Sequence, residues 1–134
     1  MSVQQETYFL NVEKSLSGRS WHDRLDLRAQ RQAASSLVDM DKFADRLADA
    51  IMAKEKIALF GDYDVDGASS AALLMRYLTA FGLEPLCHIP DRIFEGYGPN
   101  IAAIDKLIKN GATLLITLDC GTTSFDPLAH AKSQ

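Results

Sequence analysis

Three short apolar runs, Lys56 to Phe60 (KIALF), Pro85 to Ile89 (PLCHI) and Thr113 to Leu118 (TLLITL), are separated by segments whose apolar residues recur every three or four positions. Short runs read as buried strands and the segments between them as helices. Strands that alternate with helices are joined by right-handed crossovers, so the order predicts an α/β fold, a parallel sheet with flanking helices of the doubly wound kind. The helical segments have recognisable ends: Gly82 closes ASSAALLMRYLTAFG, Asn100 opens NIAAIDKLIKNG and Gly111 closes it. Before the first strand, Leu37, Met40, Phe43, Leu47 and Ile51 share one helical face.

In an open parallel sheet, ligands gather beyond the carboxyl ends of the strands. Every predicted strand here ends in polar residues: Asp62, Asp64 and Asp66 after the first, His88, Asp91 and Arg92 after the second, Asp119 after the third. The first set belongs to GDYDVDG, residues 61–67, with acids at alternate positions and a glycine at each end. Three close carboxylates repel one another unless protons or a cation intervene, which points to an oxygen-ligated divalent ion. Adjacent strands lie about 4.8 Å apart, so Asp119 is the natural partner of the triplet across such an ion.

Two other readings compete for the same residues. Asp62, Asp64, Asp66 and Gly67 fit the opening of an EF-hand calcium loop, but its twelfth position is Leu73 instead of glutamate and a strand-like run precedes it. Alternatively the acids only cap the helix expected from Ala68, which accounts for one of them. Arg92 stands where it could grip a phosphate beside the acidic rim, or pair with Asp91 or Glu95 on the surface. His88 is a weaker candidate for metal or leaving group, since a lone histidine at a strand end is more often structural. Neither phosphate-loop signature with glycines, G-x-G-x-x-G or G-x-x-x-x-G-K-[ST], occurs.

The 134 residues suffice for one domain with a core, and 47% hydrophobic with 24% charged residues is ordinary soluble composition. A formal charge of -4 argues against a broadly basic nucleic-acid surface and leaves room for a local phosphate site. Cys87 and Cys120 sit in apolar runs without CxxC spacing and read as buried thiols of a reducing cytoplasm. No signal-like or membrane-spanning stretch is evident, so a cytoplasmic location without membrane contact is expected. Residues 1–36 differ from the remainder: Arg19, Arg24, Arg28 and Arg31 alternate with acids, and Tyr8, Phe9, Leu10 and Trp21 are its apolar anchors. That segment reads as an N-terminal arm and residues 37–134 as the first part of a catalytic domain. PLAHAKSQ reads as the opening of a further helix, and three parallel strands leave an edge that a following unit normally covers, so a truncated domain is expected. Self-association through that open edge is a second consequence.

GDYDVDGASSAALL, HIPDRIFEGYGPN and LLITLDCGTT, in this order, resemble the amino-terminal part of the single-strand-specific exonucleases of the DHH phosphoesterase family; VEKSLSGRSW resembles the segment that precedes it. The resemblance implies a Rossmann-like DHH domain. It makes Asp64 and Asp66, with Asp62 beside them, and Asp119 metal ligands, and gives Arg92 a contact with DNA phosphate. It implies two Mn2+ or Mg2+ ions that activate water for attack on single-stranded DNA from the 5′ end, in repair and recombination. A relative that cleaves oligonucleotides or cyclic dinucleotides is the alternative inside the family, and a non-catalytic cation-binding or interaction module the alternative outside it. The Asp-His-His triplet that gives the family its name is absent from these residues, so the metal site is expected to be incomplete and the chain by itself nearly inactive.

Overall fold

The computed structural model describes residues 37–134. The N-terminal arm expected over residues 1–36, with its arginines and aromatic anchors, lies outside the described residues. Two compact units divide the chain, one holding residues 48–134 and the other ending at Leu47. In the described part of the latter, Asp39 accepts the backbone N–H of Phe43 at 2.9 Å and pairs with Lys42 at 2.7 Å, opening helix α1 (Met40–Met52). The expected apolar positions of that helix, Met40, Phe43, Leu47 and Ile51, are all half-buried.

From residue 48 onward the order is β1 (Ile57–Gly61), α2 (Val65–Ala80), β2 (Leu86–His88), α3 (Ile101–Lys109), β3 (Leu114–Leu118) and α4 (Phe125–Ser133). All strand pairs are parallel and the spatial order is β2-β1-β3, as the alternating pattern predicts. The central β1 is buried at all five positions, which is why it reads as a continuous apolar run. Its Phe60 is wholly buried, worth about 2–3 kcal/mol of hydrophobic stabilisation.

Pleating sends alternate side chains of β1 to opposite faces. Ala58 and Phe60 pack with Ala103 and Leu107 of α3, joined by Leu86, Leu115 and Cys120. On the other face, a Cβ built on Gly61 would stand 3.4 Å from Ala71 Cβ of α2. The helices lie on opposite faces because the crossovers run in opposite directions. The first leads from β1 to β2, the second from β2 back past β1 to β3, and both must be right-handed. α4 joins the α3 face, where the ring Nε2 of His130 meets Asp105 Oδ1 at 2.7 Å. The chain therefore leaves β1 toward one face and β3 toward the other, opening a crevice between two adjacent strand ends.

Two expectations change. Helix α2 starts at Val65, inside the acidic motif, and not at Ala68; Asp64 is its N-cap, accepting the N–H of Gly67 at 2.9 Å. A carboxylate at that position satisfies an otherwise unpaired donor, which pulls the helix start forward. The cysteines are also less buried than expected, Cys120 being half-buried and Cys87 exposed. β2 is an edge strand, and Cys87, opposite Leu59 in the register, faces away from the Phe60 cluster that Cys120 joins. Both thiols are free. Among the described residues, no helix is long and apolar enough to cross a membrane.

Candidate metal centre

Asp62 follows β1 directly and is 5% exposed, buried with the strand that delivers it. Its backbone N–H donates to Leu118 O at 3.1 Å, which extends the β1–β3 pairing one residue past the strand and brings Asp119 alongside. Its Oδ1 accepts the N–H of Tyr63 at 2.8 Å, which turns the chain out of the strand. Gly67 allows the next step. A Cβ there would lie 2.6 Å from both the N and the O of Asp62, so the first turn of α2 rests on the backbone of the acidic turn only because no side chain intervenes.

Asp62, Asp64 and Asp119 each present a carboxylate oxygen such that these atoms lie within 4.8 Å of one another. Oxygens that share one divalent ion at about 2.0–2.6 Å are separated by distances of this order. The donor set is all carboxylate, the chemistry that suits magnesium and manganese over softer metals. The residues present thus fit an ion of that class.

Asp119 is the most perturbed member. It adopts a left-handed backbone, φ 58°, uncommon away from glycine. Its carboxyl pKa is raised above the ordinary aspartate value, first by lost hydration, then by the negative charges of Asp64, Asp66 and Asp62 and a hydrogen bond with Asp64. This is the behaviour of acids crowded without a compensating cation.

The remaining expected residues are placed differently. Asp66 stands in the first turn of α2, outside the three-carboxylate cluster, and reaches it through its charge on Asp119. His88 turns to Glu95, Nε2 to Oε2 at 2.8 Å, with its ring 5.1 Å from that of Phe60. Glu95 also accepts the N–H of Asp91 and the amide of Asn100; its pKa is lowered, by the Asp91 N–H most and then by His88 and Asn100. Arg92 lies over the ring of Tyr63, 5.4 Å from its centroid. Tyr63 sits between Asp62 and Asp64 in the chain, so the guanidinium flanks the acidic turn.

Two tyrosines in the neighbourhood were not legible as site residues. Tyr63 and Tyr97 meet edge to face at 6.4 Å, and Tyr97 Oη donates to the carbonyl of Asp119 at 3.1 Å. The phenol of Tyr97 is raised in pKa by partial loss of hydration first, then by the charges of Asp62, Cys120, Asp119 and Asp64. The signal in the sequence was the pair of glycines around Tyr97, both of which take a φ of 78°. The segment preceding the acidic motif is β1, where an EF-hand loop would need a helix.

A parallel doubly wound sheet with carboxylates from two adjacent strand ends in its switch-point crevice defines a Rossmann-like α/β domain with its polar groups where such folds bind ligands. Residues 56–134 match the DHH family, N-terminal domain, and the chain belongs to that family. It is 39% identical over 93 residues to the single-stranded-DNA-specific exonuclease RecJ of Bacillus subtilis, covering 69% of this chain and 12% of that protein. It is 34% identical over 101 residues to the RecJ of Haemophilus influenzae, covering 75% of this chain and 18% of that one. The fold is similar to a crystal structure of exonuclease RecJ bound to manganese, with a TM-score of 0.70 at 31% identity over 78% of this chain and 27% of that one. The chain therefore spans only a small part of the length of these relatives.

Proposed function

We propose that this chain supplies the β1 and β3 ligands of a divalent-metal centre that acts on single-stranded DNA, as the RecJ proteins it resembles do. In this reading Asp62, Asp64 and Asp119 hold Mn2+ or Mg2+, Asp66 contributes from the first turn of α2, and Arg92 grips a DNA phosphate. Asp64, Asp66 and Asp119 are the residues assigned to catalysis. The observation that carries the reading is the convergence of Asp62, Asp64 and Asp119 within 4.8 Å from two neighbouring strands. A helix cap alone would not recruit Asp119, and a calcium loop would not need it. An ion held there supplies Lewis acidity toward a phosphodiester and acidifies coordinated water. The protein's own part is to fix the carboxylates before the ion arrives and to hold a phosphate beside them through a permanently charged, planar fork.

Because the chain spans 12% and 18% of the two relatives above, the reading assigns metal and phosphate binding to this segment and turnover to the longer protein in which such a domain occurs. The outer edge of β3, which no strand among the described residues covers, is also the edge through which two copies would associate, and sedimentation that finds only monomer at high concentration removes that part of the reading.

Calorimetric titration of manganese and of calcium, into the chain and into Asp119→Ala, tests the central claim. Manganese is expected to bind and the substitution to weaken it by more than about a hundredfold, beyond the usual loss from an outer partner. Preferential calcium binding that ignores Asp119 would leave the acidic turn as a self-contained loop and remove the phosphoesterase reading.

A further inference from the structure

The three residues at the end of β3 are each tied down by a different contact. The carbonyl of Leu118 accepts the N–H of Asp62 at 3.1 Å, and the thiol of Cys120 lies 3.5 Å from the carbonyl of Phe60. Both anchors come from β1 and its immediate continuation. Asp119, between them, has its carbonyl held by the hydroxyl of Tyr97 at 3.1 Å, from the β2–α3 loop. Asp119 is also the one of the three with a left-handed backbone. Rotation of that backbone toward an ordinary conformation would swing carbonyl and carboxylate together, so a bond to the carbonyl restrains the carboxylate.

We propose that Tyr97 is a positioning residue for Asp119, holding its carboxylate in the metal-binding arrangement through the backbone carbonyl. The inference rests on the metal-centre reading above. Tyr97 is 62% exposed, so core packing does not account for where it stands. The loop is shaped around it: Gly96 and Gly98 both take a φ of 78°, a conformation that side chains disfavour, and together they turn the ring toward β3. The edge-to-face contact of Tyr97 with Tyr63, whose face carries Arg92, ties the same loop to the acidic turn.

The test is manganese titration of the chain beside Tyr97→Phe, Gly96→Ala, Ile93→Ala and Asp119→Ala, with the melting temperature of each measured without metal. Tyr97→Phe keeps the ring and deletes the hydroxyl; it is expected to weaken manganese binding about fivefold, the worth of one hydrogen bond, and leave melting unchanged. Gly96→Ala meets no atom within 4 Å and adds only backbone strain, so it is expected to weaken binding similarly. Ile93→Ala, at a side chain 85% exposed in the same loop, is expected to leave binding alone. Undiminished affinity in Tyr97→Phe, with binding lost in Asp119→Ala, overturns the proposal. Undiminished affinity in both overturns the metal-centre reading along with it.

Discussion

The turn after β1 and the loop after β2 leave neighbouring strands of one sheet, yet they are built in opposite ways. The first is a continuation of the core. Asp62 is buried, Gly67 packs against its backbone, and the helix begins within the motif. The second is an exposed excursion from Asp91 to Tyr97, organised by hydrogen bonds instead of burial. Asp91 Oδ1 accepts the N–H groups of Ile93 and Phe94, and Glu95 gathers His88, Asn100 and the Asp91 N–H. The acids show the same contrast, since Asp119 across from the first turn is raised in pKa while Glu95 in the second loop is lowered. Crowded acids wait for a cation, and a carboxylate supplied with donors does not. The central strand thus leads into a turn fixed by burial, and the edge strand into a loop held by hydrogen bonds at the surface.

The largest expected effect comes from breaking the buried turn. Gly67→Ala forces a methyl to 2.6 Å from the Asp62 backbone, so denaturant unfolding should register a loss of about 1–3 kcal/mol, as overpacking usually costs. A neutral result would mean that α2 can slide away from the turn and that the contrast in rigidity is false.

Acid titration sharpens the electrostatic side. Without metal, the raised Asp119 pKa means that the native chain holds that proton more tightly than the unfolded chain. Its contribution to stability is therefore full below the unfolded pKa and lost as pH rises through the folded one. Glu95, lowered, contributes above its unfolded pKa and loses that contribution as pH falls through the folded one. In the proposed metal centre manganese would need the Asp119 carboxylate, so affinity should decline as pH falls through the raised folded pKa. Melting curves of the chain and Asp119→Asn across pH 3 to 7, with and without manganese, should differ with opposite slopes in the two conditions; parallel curves would show that Asp119 titrates without perturbation.

The smallest effect is expected at the edge strand. Cys87→Ser, at an exposed and unpaired thiol, should change stability by less than about 0.5 kcal/mol. A larger loss would show that the β2 edge is packed more closely than its exposure indicates.

Much of the fold was legible because its signals are local. The β1 run is apolar throughout since both of its faces are covered, and Asn100 announces the start of α3 because its side chain accepts the N–H of Ala103. Gly82 and Gly111 mark helix ends, and both sit at positive φ. The helix start at Val65 was missed because GDYDVDG offers three aspartates as possible caps. Only the position of Gly67 over Asp62 selects Asp64. Cys87 was misjudged because an apolar run does not say whether its strand is central or at an edge.

The sequence by itself determined the strand and helix order, the acidic residues at the strand ends and the family to which they belong. Their spacing and residue types act over a few positions and need no partner. Tertiary structure alone decided that β1 and β3 are direct neighbours, that Asp66 stays outside the cluster of Asp62, Asp64 and Asp119, and that Tyr97 reaches across to the Asp119 carbonyl. Those outcomes depend on strand order and on backbone angles at Asp119, Gly96 and Gly98, which are set by contacts between residues distant in the chain and leave no periodic trace in it.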